Sequence, residues 1–126
     1  MGYLTKPTYW VGGQRKTCNI GSVDDGWQNS EVFDMFVDDQ ENVYIAGFSQ
    51  DMDSEYPTYW KNEKKYLISN GEVSGVIRGI EMINGELVLA GTLSYFPVTP
   101  CIWVGDKTYV YDENAVGEVW DILVIN

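Results

Sequence analysis

Three charged side chains stand inside sequence runs that are otherwise apolar, and their types suit the binding of a polar ligand. Asp34, Arg78 and Asp121 follow one another at intervals of 44 and 43 positions. A guanidinium can hold a carboxylate or phosphate through two parallel hydrogen bonds, while an aspartate accepts hydrogen bonds from hydroxyl or amino groups. With the aromatic neighbours Phe33 and Trp120 they form the predicted ligand-binding set. An ion pair between Arg78 and an aspartate of an adjacent strand is the structural alternative.

The residue types needed for catalysis or metal binding are largely missing. The chain has no histidine, which removes Ser-His-Asp and Cys-His arrangements and most zinc or iron sites. Cys18 and Cys101 lack Cys-x-x-Cys spacing and are expected to be buried free thiols. The alternating acids Asp51, Asp53 and Glu55 lack the glycine and distal glutamate of an EF-hand loop. We therefore predict no enzyme activity, no catalytic residue, no metal site and no cofactor.

The composition predicts one acidic globular domain over residues 1–126. Hydrophobic residues make up 44% of the chain and aromatic residues 14%, which suits a packed core rather than disorder. Nineteen Asp and Glu against eight Lys and Arg give a net charge of -11. This charge counts against direct binding to nucleic acid and favours a basic protein surface or a small polar molecule as partner. No apolar run approaches the roughly 20 residues of a membrane span, and the N-terminus carries no secretory signal. We expect a cytoplasmic protein that does not bind membranes.

Three sequence blocks recur along the chain in the same order. Pro-Thr-Tyr-Trp occupies 7–10 and 57–60, with a degenerate copy at 100–103. A Val-rich block occupies 31–37, 75–81 and 118–124, and an Ala-Gly block occupies 42–47 and 86–91. The interval between copies is 43 or 44 residues, apart from an insertion around 24–27 that lengthens the first one. Agreement in both order and spacing indicates an internal repeat.

Each repeat contains about four short β-runs, separated by turn sequences such as Asn84-Gly85. Four strands at a period in the range of roughly 40 to 50 residues are typical of a β-propeller blade. The pattern Pro-x-Tyr-Trp, a polar turn, Val-x-x-Ile-x-Val and then Val-Tyr-x-Ala-Gly resembles the repeat units of bacterial β-propeller proteins. The resemblance covers nearly the whole chain. It implies an all-β fold with blades arranged in a ring, and it says little about the ligand.

The number of repeats predicts an incomplete ring. Blade one is expected at 31–69 and blade two at 75–111, each with four antiparallel strands, while 118–126 and 7–20 supply a split third blade. Propellers have typically four to eight blades, so about three blades cannot close a ring within one chain. We predict a half-propeller protomer that closes into a six-bladed ring as a homodimer, its third blade completed by the partner. The Val-rich strands would then line the central channel.

Three classes of function agree with these features. The preferred one is a non-catalytic, homo-oligomeric binding protein whose ligand lies at the channel mouth or on the loops of one face. A second is a phage-encoded inhibitor of a host defence system, which sequesters a small signal molecule or mimics nucleic-acid charge. A third is a lectin-like carbohydrate binder.

One tryptophan recurs in each repeat, at positions Trp10, Trp60 and Trp103, and these side chains are expected to fill the space between blades. Trp27 and Tyr95 lie in less regular segments, which suit exposed recognition.

Overall fold

The computed structural model describes residues 5–94, 99–105 and 107–110. This part of the chain is all-β. Its strands are β1 (Thr8–Val11), β2 (Gln14–Thr17), β3 (Ser30–Val37), β4 (Val43–Gln50), β5 (Glu55–Lys61), β6 (Lys64–Leu67), β7 (Gly75–Ile83), β8 (Glu86–Leu93), β9 (Thr99–Val104) and β10 (Lys107–Val110). Short 3-10 helices at Val23–Asp25 and Ile68–Gly71 connect some of them. None of the described residues belongs to a helix that could cross a membrane.

The strands form three antiparallel sheets in chain order. β1 and β2 make a two-stranded hairpin sheet, β3 to β6 make the first four-stranded sheet, and β7 to β10 make the second. Every strand pairs with its neighbour in sequence, so each sheet is a simple meander. The predicted all-β class and the four-stranded antiparallel units are thereby confirmed. The predicted inner strand at 118–126 lies outside the described residues.

Tight two-residue turns connect neighbouring strands in both four-stranded sheets. Asn84 and Gly85 join β7 to β8 with φ values of 51° and 79°. Positive φ at both central residues belongs to the type I′ turn, whose twist matches that of a β-hairpin. Asn62 and Glu63 make the same left-handed turn between β5 and β6, with φ values of 48° and 69°. The hairpin turn predicted at Asn84-Gly85 is therefore confirmed.

The three sheets are stacked, and the first four-stranded sheet lies in the middle. On one side Tyr44 and Ala46 of β4 join a core cluster with buried residues of the second sheet. On the other side Val43 and Ile45 pack with Trp60 against the hairpin sheet. Successive side chains of a strand point to opposite faces, so β4 is buried on both faces along almost its whole length. Its apolar sequence is therefore that of a central layer rather than of a solvent-facing sheet.

The first strand of each four-stranded sheet carries the same irregularity. The pairing slips by one residue in β3 and again in β7, with Phe33 and Arg78 as the extra residue of a β-bulge. Gly47 and Gly91 stand opposite these bulges. A Cβ atom added to Gly91 would lie 2.0 Å from the carbonyl oxygen of Val76, and Gly47 is equally crowded by backbone. The glycine of the Ala-Gly block is thus required by the close approach of the bulged strand.

Replacing this glycine is expected to destabilise the fold far more than replacing a glycine in a turn. Gly91→Ala places a methyl group against backbone that cannot rotate away, so we expect the free energy of unfolding to fall by about 3 kcal/mol. Gly85→Ala is the control, since open space surrounds Gly85 and only its left-handed φ opposes alanine, at a cost of about 1 kcal/mol. Chemical denaturation of both variants measures the difference. Equal losses would contradict the proposed crowding at the bulge.

Candidate functional site

The two bulge residues lie against each other at the edge of the stack that is formed by β3 and β7, the first strands of the two four-stranded sheets, and we call this edge the inner end. The Cζ atom of Arg78 in β7 is 4.0 Å from the centre of the Phe33 ring in β3. A guanidinium over an aromatic face is attracted by the negative potential of the ring. The bulges create this contact, because each one displaces a side chain from the regular alternation of its strand. Phe33 remains exposed and Arg78 is half-buried, so the stacked pair borders solvent.

Asp34, the next residue along β3, links the same two strands through its carboxylate. One carboxylate oxygen accepts a hydrogen bond from the backbone N–H of Ile80 in β7 at 3.1 Å, and the other accepts one from the N–H of Met35 at 2.9 Å. β7 is one of the two edge strands of its sheet as described, so Asp34 satisfies a backbone donor on that edge. The carboxylate therefore helps to hold the two sheets together at this end.

The sequence alignment that gave Asp34 and Arg78 equivalent positions is wrong by one residue. When the sheets are aligned by their pairing, Arg78 corresponds to Phe33, and Asp34 corresponds to Gly79. Valines at a constant interval in the sequence do not show where the bulge falls in each strand. Three of the predicted ligand-binding residues, Phe33, Asp34 and Arg78, nevertheless come together at one end of the stacked sheets. The other two, Trp120 and Asp121, lie outside the described residues.

The groups at this inner end can hold a polar ligand through charge and hydrogen bonds. It offers a guanidinium supported by an aromatic ring and, one position from that ring in sequence, a carboxylate that already accepts two hydrogen bonds. Among the described residues there is no group of three or more Cys, Asp or Glu side chains placed to hold a metal ion. An anion or a planar polar group is the ligand type that a stacked arginine recognises best.

The repeated tryptophans do not share one environment. Trp60 and Trp103 are fully buried between sheets, which confirms the packing role predicted for them. The Nε1–H of Trp60 donates to the carbonyl oxygen of Asn19 at 2.7 Å. Trp10 lies on the outer face of the hairpin sheet and is exposed. The prediction therefore fails for Trp10 within the described chain, because none of the described sheets lies on that side.

The insertion around 24–27 is fastened to the first sheet by a lysine. Nζ of Lys65 lies 3.3 Å from the centre of the Trp27 ring and donates a hydrogen bond to the carbonyl oxygen of Ile20 at 2.9 Å. Trp27 also meets Tyr56 edge to face, with 5.6 Å between the ring centres. Burial lowers the pKa of Lys65 to about 8. Trp27 is thus held in place by packing, while Tyr95 lies outside the described residues.

The acidic loop after β4 forms a shallow hollow of about 290 Å³ that is also lined by Ser94. Asp51 accepts hydrogen bonds from the backbone N–H groups of Asp53 and Ser54, at 2.8 and 2.9 Å. Burial opposes ionisation of Asp51, but these hydrogen bonds lower its pKa overall. Its carboxylate therefore serves the turn. The loop is therefore a solvent-exposed connection between β4 and β5.

The two cysteines are buried free thiols, as the sequence predicted. Cys18 packs under the first sheet beside Tyr9, and Cys101 lies in the core between the two four-stranded sheets. Burial raises the pKa of Cys18 from an ordinary 9.0 to about 11, with Glu63 adding to the shift, and burial raises the pKa of Cys101 to about 12. Both thiols are consequently poor nucleophiles at neutral pH.

Comparison of the chain with protein-family models, with curated protein sequences and with solved structures gives no match.

The buried thiols predict a loss of stability in alkali. The unfolded chain releases the thiol protons near pH 9, whereas the folded chain keeps them, so folding becomes less favourable from pH 9 to about 11 as Cys18 titrates. We expect a variant with Cys18→Ala and Cys101→Ala to lose less stability over this interval. Urea unfolding at several pH values measures it.

Lys65, whose pKa is lowered, has the opposite effect between pH 8 and 10.5 and is common to both proteins. It therefore cancels in the comparison. The same pH dependence in the wild type and the variant would contradict the burial of ionisable thiols.

Proposed function

We propose that this protein is a non-catalytic binding protein that works as a closed, self-associated ring of propeller blades and holds its ligand at the inner ends of those blades. The observation that carries the proposal is the unequal exposure of three equivalent tryptophans. Trp10 is 65% exposed, whereas Trp60 is 0% and Trp103 is 1% exposed. A repeated residue that is buried in two copies and open in the third indicates a face that another unit covers.

The covering unit has a definite form, because each buried tryptophan is covered by the sheet before it in the chain. Trp60 is covered by the hairpin sheet, with Tyr9 and Cys18 in contact. Trp103 belongs to the core between the first and second sheets. The face around Trp10 therefore suits contact with the face of the second sheet that points away from the first sheet. A second copy of the chain can provide that face.

A ring follows from the repetition of one stacking geometry. Copies that contact one another through two different faces of the protomer form a closed ring when the rotation from one copy to the next is a whole-number fraction of a full turn. Two copies of a chain with about three units give six blades, within the typical range of four to eight. In such a ring the inner strands β3 and β7 would line the channel with Phe33, Arg78 and Asp34.

Solution mass tests the assembly. We expect the wild-type protein to have about twice the chain mass of 14.3 kDa, unchanged over a tenfold dilution, in light scattering after size exclusion. Trp10→Glu places a charge on the face to be buried and should give a monomer. Met52→Glu, at an exposed loop position, adds the same charge elsewhere and should leave the mass unchanged. A monomeric wild type would overturn the proposed ring.

The class of ligand can be tested by measuring the melting temperature of the protein in the presence of each member of a panel of small carboxylates and phosphates. A ligand that binds the folded state raises the melting temperature, and we expect at least one anion of the panel to do so for the wild type. Arg78→Met keeps the aliphatic stem and removes the guanidinium, so the shift should vanish. Arg15→Met at an exposed position on β2 should retain it. An equal shift in the Arg78 variant would exclude the inner end as the binding site.

A further inference from the structure

A strip of apolar side chains on β3 lies open beside the hairpin sheet. Val32 is 37%, Met35 48% and Val37 55% exposed. The pairing of β3 with β4 places this strip, which we call the β3 strip, on the same face as Val43 and Ile45. Those two neighbours are buried by the hairpin sheet. One face of the first sheet is thus covered over its outer strands, while the described part of the chain leaves its inner strand open.

The second sheet shows what the same positions look like when they are covered. Aligned by pairing, Val32 corresponds to Ile77 and Met35 to Ile80. Ile77 and Ile80 are both 0% exposed, because the first sheet packs over them. The difference between the two sheets is therefore that no described strand of a preceding unit covers the β3 strip. Among the described residues the hairpin sheet consists of the Pro-Thr-Tyr-Trp strand and its partner, which correspond to β5 and β6.

The chain contains one more sequence of the type that forms an inner strand. Residues 118–124 read Glu-Val-Trp-Asp-Ile-Leu-Val, and residues 31–37 in β3 read Glu-Val-Phe-Asp-Met-Phe-Val. The two share Glu, Val, Asp and Val at the same places and are apolar at the others. We infer that residues 118–126 of a second copy of this chain dock on the β3 strip and complete the sheet that the hairpin begins.

Chain length favours a second copy over the chain's own segment. Residues 68–74 lead from β6 to β7 and move the chain forward by one sheet. The same number of residues, 111–117, separates β10 from the run at 118–124, a length that suits one forward step, away from the β3 strip. Reaching the strip would mean passing two sheets, each about 10 Å thick, and travelling sideways across the strands as well. Seven residues span at most about 25 Å when fully extended.

This inference rests on the proposed ring, and it adds which segment of the partner fills which surface. Phe36 in β3 faces the second sheet and packs against the core that contains Ile80. By the sequence match, Leu123 corresponds to Phe36, and Met35 corresponds to Ile80 by pairing. Leu123 of one copy should therefore meet Met35 of the other. The adjacent Ile122 should point away, since neighbouring residues of a strand face opposite sides.

Cross-linking of co-expressed variants tests the contact. One copy carries Met35→Cys and the other, with a tag of different mass, carries Leu123→Cys. A short bifunctional maleimide should join them into a band at about twice the chain mass of 14.3 kDa on a denaturing gel. The native thiols do not interfere, because both are buried. Ile122→Cys in place of Leu123→Cys is the matched control and should give little of this band.

The outcomes separate the inference from the proposed ring. Joining of the two copies through Leu123→Cys, with little through Ile122→Cys, supports the inference. A cross-link confined to one chain, in a single chain that carries both Met35→Cys and Leu123→Cys, overturns it. Variants that remain dimeric in light scattering without any cross-link also overturn it and leave the ring standing. Monomeric variants together with a monomeric wild type overturn both.

Discussion

The burial of the first sheet on both faces is the constraint on which the rest of this structure depends. β4 is apolar at almost every position and has no face suited to water, so it needs one sheet on each side. The second sheet supplies one cover, and the hairpin sheet supplies the other. Because a hydrophobic sheet face gains stability only when it leaves water, each repeat depends on its neighbour, as in other repeat proteins. The exposed Trp10 and the open β3 strip are the places where this dependence is unmet within the described chain.

The stacking also shapes the candidate site. The bulges in β3 and β7 need the glycines Gly47 and Gly91, since a side chain there would collide with the bulged backbone. The same bulges direct Phe33 and Arg78 toward each other across two sheets. Neither sheet alone contains the site. A ligand bound at the inner end would therefore sense the relation between these two neighbouring sheets.

The charge of the chain is strongly acidic, and two of its cationic side chains have special positions in the stack. The net charge of -11 slows the approach of two copies at low salt and favours cationic surroundings. An arginine at the inner end is consequently a local exception to the charge of the chain. Lys65 is another exception, since its amine is partly buried under Trp27 and holds the insertion around 24–27 against the first sheet.

The sequence alone determined the β-class, the repeat period, the four-stranded units and turns such as Asn84-Gly85, because strand alternation and positive φ are properties of local sequence. It also identified Phe33, Asp34 and Arg78 as residues to consider. Only the tertiary structure decided their true correspondence, because a bulge shifts the pairing by one residue without a change in residue type. The exposure of Trp10 and of the β3 strip, and the contact of Lys65 with Trp27, were likewise hidden. Identical motifs have different surroundings when they lie at different places in the stack, and burial is a property of those surroundings rather than of the motif.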